Sequence, residues 1–289
     1  MIDSMLTIRR RDVLGRICVS VIAFCLWSSM VTSFSAQESS GKGRLNRLVA
    51  ALEQGKPAYF EDWQWIDMMR SPFLLDQLFE RLKDLRANGR SNLTPIVRIP
   101  MEGDEDFRWA VGQVLDMGAF GIAFPAIETK EEALKAIEAM RYPQLKDTKY
   151  PQPRGRRQHG APSPRAAEYW GLSTEEYVRR ADVWPLNPNG ELFTMLMIPT
   201  NEGIKNINDI LKVPGIGGVL IGPGELAASI GVRPGTPEVE AAIQTILRAC
   251  IANKVFCGMS GVNDDAAAKK WISQGFKILT KSSTPVWLR

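Results

Sequence analysis

Residues 218–231 read GVLIGPGELAASIG. Val219, Leu220 and Ile221 form an apolar run of the kind found in strands buried on both faces. Gly222-Pro223-Gly224 ends that run, because Gly and Pro are the strongest local breakers. A single carboxylate, Glu225, follows, and the small residues Ala227, Ala228 and Ser229 suit an opening helix. The stretch reads as strand, permissive turn and helix, with one acid at the turn.

The same unit recurs along the chain. Strand-like runs are expected at 57–60, 63–68, 95–99, 120–124, 193–198, 216–221, 255–259 and 276–280. Helical spacing is expected over 46–54, 74–88, 107–117, 129–140, 203–211, 237–253 and 264–274. Gly55, Gly89 and Gly118 mark helix stops, and Thr129 with Glu132 makes a capping box. Such alternation gives an α/β fold, either a (β/α)8 barrel or an open doubly wound sheet. No Gly-x-Gly-x-x-Gly follows the first strand, which favours the barrel. Phe60 and Trp63 stand too close for a parallel crossover, which needs about a dozen residues. The first β–α unit is therefore expected to be shortened. Residues 141–190 break the rhythm with Pro, Arg and Gly around one helical piece near 174–181, and read as an insert.

The chain has 289 residues, 45% hydrophobic and 24% charged, enough for one barrel domain with a sizeable core. The net charge of +4 comes from bases scattered among acids, which argues against nucleic-acid binding. Residues 1–36 differ from the rest. Arg9, Arg10 and Arg11 precede an apolar run ending near Met30, then Ser33, Ser35 and Ala36, the pattern of an export signal. Arg10-Arg11-Asp12-Val13-Leu14 is similar to a twin-arginine signal. The expected location is periplasmic or extracellular, with 37–289 as a single barrel domain, or membrane-anchored if the signal is retained. The apolar run is shorter than the ~20 residues of a full span. Cys250 and Cys257 suit core packing, although export would permit a disulfide. His159 is the only histidine.

In a (β/α)8 barrel the chemistry sits at the carboxyl ends of the strands. Here those ends read Asp67-Met68-Met69-Arg70-Ser71-Pro72, Val97-Arg98-Ile99-Pro100, Met197-Ile198-Pro199-Thr200-Asn201-Glu202 and Gly222-Pro223-Gly224-Glu225. At these motifs the sequence resembles the HpcH/HpaI aldolase (citrate lyase-like) family. PIVRIP, VLDMGAFGIAFPAIETKEEALKAIEAMRYP, INDILKVPGIGGVLIGPGELAASIG and PEVEAAI carry the likeness, which covers most of 44–283.

The resemblance implies a TIM barrel of the phosphoenolpyruvate/pyruvate type, here incomplete, without the family's final helix after the last strand. It implies a class II lyase that makes or cleaves a carbon–carbon bond beside a 2-oxo acid, such as a 4-hydroxy-2-oxo acid releasing pyruvate. In that chemistry Mg2+ or Mn2+, bound by oxygen ligands, spreads the enolate charge. Arg98 matches the family's active-site arginine, and Glu225 stands where the family has a metal-binding aspartate. Gly222 and Gly224 let backbone N–H groups approach a substrate carboxylate. Asp67 is retained from the family's Asp-x-Glu-His pattern, but Arg70 replaces the histidine base and Met69 the glutamate. A guanidinium stays protonated and is a poor base. The family's second metal ligand corresponds to Pro199, which has no side-chain oxygen, and Glu202 is the nearby carboxylate that would have to substitute.

Three functions follow. The first is an exported lyase using Arg98, Asp67 and a metal on Glu225. The second is a catalytically degenerate barrel that binds a small carboxylate or a protein partner, with Arg70 and Arg98 as two cations. The third is new chemistry under a lid formed by the insert, with His159, Trp170 and Trp184. A homo-oligomer is an open possibility for each.

Overall fold

The computed structural model describes residues 43–59, 62–70, 72–87, 93–157 and 162–281. The expected export signal, Gly89 and His159 lie outside the described residues. Everything below belongs to the compact unit that begins at Arg44.

Among the described residues, eight parallel strands are interspersed with helices, with no helix between the fourth and fifth strands. They are β1 (Trp63–Asp67), β2 (Thr94–Arg98), β3 (Gly121–Phe124), β4 (Val183–Trp184), β5 (Leu192–Leu196), β6 (Gly218–Ile221), β7 (Phe256–Met259) and β8 (Ile278–Leu279). The helices are α1 (Arg47–Glu53), α2 (Leu75–Leu85), α3 (Arg108–Asp116), α4 (Lys130–Met140), α5 (Pro164–Trp170), α6 (Thr174–Arg180), α7 (Asn201–Ile210), α8 (Pro223–Ile230), α9 (Pro237–Ala252) and α10 (Asp265–Gln274). Neighbours run β1-β2-β3-β5-β6-β7-β8, and the short β4 pairs with the first residues of β5.

The sheet is nearly a closed barrel. Ala58 forms a parallel bridge with Ile278 on β8, through Ala58 N–H to Lys277 O at 2.8 Å and Leu279 N–H to Ala58 O at 2.9 Å. Within five residues the chain reaches β1, on the other edge. So the first strand survives as a single rung and the helix after it is missing, as the short spacing before Trp63 predicts.

Strand side chains alternate in direction, and two apolar clusters result. Ile66, Val97, Ile122, Leu196 and Val219 pack outward against the helices. Trp63, Ile96, Ala123, Phe193, Met195, Leu220 and Ile278 point into the barrel. Leu48, Val49 and Leu52 of α1 join that interior cluster. The Asn46 side chain starts α1 by accepting the Val49 N–H at 3.1 Å. Thr129 caps α4 with the reciprocal box expected from the sequence, a motif worth about 1 kcal/mol.

The insert is more ordered than its composition suggests. It holds α5 and β4 besides the expected helical piece, α6. Trp170 stacks on Phe120 with centroids 4.2 Å apart and donates to Gly118 O at 3.0 Å. Arg157 is fully buried, bonded to Asp116 at 2.7 Å and to the Tyr177 hydroxyl at 2.8 Å. Trp184 lies in β4, stacked near Phe193 and Phe256. Asp116, Gly118 and Phe120 all precede β3, so this packing surrounds the amino ends of the strands. That corrects the lid reading for Trp170 and Trp184: both are structural, at the end opposite the cleft described next. Cys250 and Cys257 are free and buried, in keeping with core packing.

Candidate active site at the carboxyl ends of the strands

The inward-facing series can be followed to the top of the barrel. On β1 it runs Trp63, Trp65, Asp67, and on β2 Thr94, Ile96, Arg98. Past β5 and β6 it continues to Met197 and Gly222, and past β7 and β8 to Ser260 and Thr280. These positions and the loops above them line a cleft of about 530 Å³.

Asp67 and Arg98 form its floor. They are directly paired Cα partners in the β1–β2 ladder. Arg98 donates Nε to Asp67 Oδ1 at 2.9 Å and Nη2 to Oδ2 at 2.5 Å. Both side chains are nearly inaccessible, 2% and 3% exposed. The Trp65 ring lies under the guanidinium, 5.6 Å from its centroid. Burial pulls the Arg98 pKa down, but hydrogen bonding to Asp67 and the charges of Glu225 and Asp67 outweigh it, and the net shift is upward. Arg98 is a fixed cation.

Asp67 also shapes the following turn. Its Oδ1 accepts the Met69 N–H at 3.1 Å, a local bond of the kind that stabilises tight turns. The next residue, Arg70, reaches across the cleft to Glu225, with Nη2 2.7 Å from Oε1. Arg98 Nη1 meets the same oxygen at 2.5 Å. Two guanidinium groups thus converge on one carboxylate oxygen. Both arginines bond Glu225 through Oε1, and its other oxygen, Oε2, lies towards Gly222.

Glu225 owes its place to α8. Pro223 takes the first helical position, where its missing N–H costs nothing. The first backbone bond is Leu226 N–H to Gly222 O at 2.9 Å, so the N–H groups of Gly224 and Glu225 point out of the helix start. A Cβ at residue 222 would come within 3.0 Å of Glu225 Oε2, whereas one at 224 would meet nothing within 4 Å. Gly222 makes room for the carboxylate, and Gly224 leaves open space beside the exposed N–H groups. An acid in the first turn also suits the helix dipole.

The structure brings together Asp67, Arg70, Arg98, Gly222, Gly224 and Glu225. It does not bring Glu202 to them. Glu202 lies in the first turn of α7, where it accepts from Asn206 Nδ2 at 3.0 Å and sits 3.6 Å from Lys205 Nζ. Thr200 caps that helix, with Oγ1 accepting the Gly203 N–H at 3.1 Å. Pro199 and Met197 share a small recess with Glu225. Sequence reasoning missed the wall formed by Trp65, Ser260, Thr280 and Lys281. The inward alternation of β1, β7 and β8 is the signal that would have found the first three.

This donor set does not fit a divalent cation. Among the described residues no three His, Cys, Asp or Glu side chains gather as a metal site. Asp67 spends both oxygens on Arg98, and Glu225 carries two guanidinium groups. The position that would supply a second carboxylate is Pro199.

The fold is thus a near-closed parallel barrel of the TIM type with an arginine–carboxylate constellation at its carboxyl ends, where such barrels carry their active sites. Residues 56–281 match the HpcH/HpaI aldolase/citrate lyase family, and the chain belongs to that family. It is 31% identical over 252 residues to the 2-keto-3-deoxy-L-rhamnonate aldolase of Klebsiella pneumoniae, covering 86% of this chain and 78% of the relative. Among solved structures, a family protein from Burkholderia cenocepacia is 26% identical with a TM-score of 0.69, covering 84% of this chain and 95% of that one. An HpcH/HpaI aldolase from Desulfitobacterium hafniense shares the fold at 20% identity and a TM-score of 0.66, covering 82% and 90%.

Proposed function

We propose that this chain is a carbon–carbon lyase that cleaves a 4-hydroxy-2-oxo acid to pyruvate and an aldehyde in the cleft above Arg98. The observation that carries the reading is the buried Arg98, locked by Asp67 and aimed at the start of α8. A 2-oxo acid placed there would set its keto oxygen on Arg98 and its carboxylate on the N–H groups of Gly224 and Glu225. The Klebsiella relative is named for a 2-keto-3-deoxy acid, a compound of this class.

The chemistry is proton transfer and charge stabilisation. Glu225 Oε2 takes the proton from the C4 hydroxyl as the C3–C4 bond breaks, and C4 leaves as the aldehyde. The bonding pair becomes the enolate of pyruvate, whose oxygen lies against the guanidinium. Glu225 then returns its proton to C3. Cations preorganised at the developing charge are the main source of such rate enhancement. Where a family site holds Mg2+ or Mn2+, the ion spreads the enolate charge; the residues here do not fit such an ion, and the guanidinium groups carry that charge instead.

The test is pyruvate release from 2-keto-3-deoxy-L-rhamnonate and shorter 4-hydroxy-2-oxo acids, followed by coupled reduction of the pyruvate. Release by the wild type that falls at least 100-fold in Arg98→Ala is expected. Equal release by both, or none by the wild type, would sink the proposal. A second reading, a non-catalytic carboxylate binder, is favoured by Arg70 at the place of the family's base. It predicts binding of pyruvate without turnover.

A further inference from the structure

We infer that Arg70 does the work of the divalent cation in this cleft, so that the chain holds a 2-oxo acid without a metal, its keto oxygen on Arg98 and its carboxylate on Arg70 beside the N–H groups of Gly224 and Glu225. The inference rests on the placement of the ligand proposed above. Arg70 Nη2 and Arg98 Nη1 lie 2.7 and 2.5 Å from the same Glu225 oxygen. A metal bound to Glu225 would also sit at that carboxylate, and would face both guanidinium groups at close range. Like charges so placed disfavour one another.

Charge and exposure point the same way. Asp67 and Glu225 balance Arg98 and Arg70. The start of α8 adds a partial positive charge. The sum attracts an anion and repels a dication. Arg98 has its Nε and Nη2 committed to Asp67, whereas the Arg70 side chain is 51% exposed at the cleft. A guanidinium presents five donors in a planar fork that matches a planar carboxylate. Arg70 is thus able to keep Glu225 and still offer an edge to an incoming α-oxo carboxylate. Histidine at this position would offer no such fork. Substitution by arginine is therefore a change of electrophile as well as loss of a base.

Oxalate, a planar mimic of the pyruvate enolate, is the probe. The full chain is stripped of metal on a chelating resin, because a soluble polycarboxylate chelator would itself compete for the cleft. Oxalate affinity is then measured by calorimetry and thermal shift, with and without added Mn2+. The expected result is binding without metal, no gain from Mn2+, and a loss of roughly 10- to 100-fold in Arg70→Ala, the range for one charge-assisted contact. Arg70→Lys, which keeps the charge but not the fork, should fall between. Because Arg70 is half-exposed, Arg70→Ala should fold, and its unliganded thermal midpoint checks this. Binding that needs Mn2+, binding by Arg70→Ala equal to the wild type, or no binding of oxalate under any condition would each overturn the inference. Pyruvate release separates it from the lyase proposal. Release only with Mn2+ overturns the inference and keeps the lyase. Metal-free, Arg70-dependent binding without release keeps the inference and overturns the lyase.

Discussion

Asp67 and Arg98 face each other across the last rung of the β1–β2 ladder, and the carboxylate accepts from the Nε and Nη2 edge of the guanidinium at 2.9 and 2.5 Å. The pair is sealed from solvent on the floor of the cleft, with Trp65 beneath it. Its geometry is set by backbone register, so Arg98 is aimed before any ligand arrives. Preorganisation of this kind holds a group within the small tolerance that catalysis needs.

Breaking that pair from one side should be costly. Asp67→Ala leaves Nε and Nη2 of a buried guanidinium without their partner, with only Glu225 to balance the charge; removing one partner of a buried pair typically costs about 3–5 kcal/mol. In a domain of this size that corresponds to a fall of roughly 10 °C in thermal midpoint. The double change Asp67→Leu with Arg98→Met removes both charges and should recover most of the loss while abolishing oxalate binding. Denaturant unfolding of the three proteins checks this; a double variant as unstable as Asp67→Ala would mean that packing, not charge, sets the cost.

Much of this was legible in the residues. The apolar run Val219 to Ile221, the break at Gly222-Pro223-Gly224 and the box at Thr129 and Glu132 are local signals, and each became the element it predicts. Asp67, Arg98 and Glu225 stand at strand ends, and the family resemblance of the motifs around them singles them out there. Three things were not legible. The bond from Arg70 to Glu225 joins residues 155 apart in sequence, and no local pattern encodes such a meeting. Glu202 is close to the site in sequence, yet the cap at Thr200 turns it outward along α7. In the insert, Pro and Gly masked α5, although Ser163-Pro164 and Gly171 are the start and stop that such a helix uses. Tertiary packing on Phe120 and Gly118 orders a segment whose composition alone reads as irregular.

The insert also carries an alkaline weakness. Burial pushes the Tyr169 phenol up to about 12, with Arg86 partly opposing it. Burial raises Tyr142 and Tyr177 as well, against the opposing charge of Arg157. An unfolded tyrosine ionises near pH ~10. A folded pKa above that value gives stability that is full below about pH 10 and is lost as pH climbs through the folded value. The urea midpoint should therefore fall between about pH 10 and 12. Tyr169→Phe, which removes one of these protons, should make the fall shallower and leave stability near neutrality within about 0.5 kcal/mol. An unchanged slope would show that Tyr169 ionises freely in the folded protein.

Glu225 has two roles in the lyase reading, and they can be separated. Glu225→Gln keeps an oxygen that accepts from both arginines but removes the basic group and its charge. Pyruvate release should fall by about 100-fold or more, the usual contribution of a general base. Oxalate should bind as tightly as in the wild type or several-fold tighter, because a competing anion is gone. Turnover that survives the change would place the base elsewhere; loss of both turnover and binding would mean that the negative charge of Glu225 is needed to hold the two guanidinium groups together.

The sharpest prediction restores what the cleft has given up. Pro199→Glu returns a carboxylate beside Glu225, and Arg70→His removes the cation that crowds it. Pro199 lies in the small recess with Met197 and Glu225 and precedes the Thr200 cap, whose own bond to Gly203 does not involve it. The double variant should therefore fold and gain a Mn2+ response. At a metal concentration 100 times the dissociation constant, binding to the native state alone adds about 2.7 kcal/mol of stability. The wild type should show no such gain, and Pro199→Glu alone should show little, because Arg70 still occupies Glu225. A Mn2+ shift in the wild type equal to that in the double variant would mean that one carboxylate and a ligand suffice to hold the ion. In that case two guanidinium groups on Glu225 do not exclude a dication, and the charge balance of the cleft is dominated by groups other than Arg70.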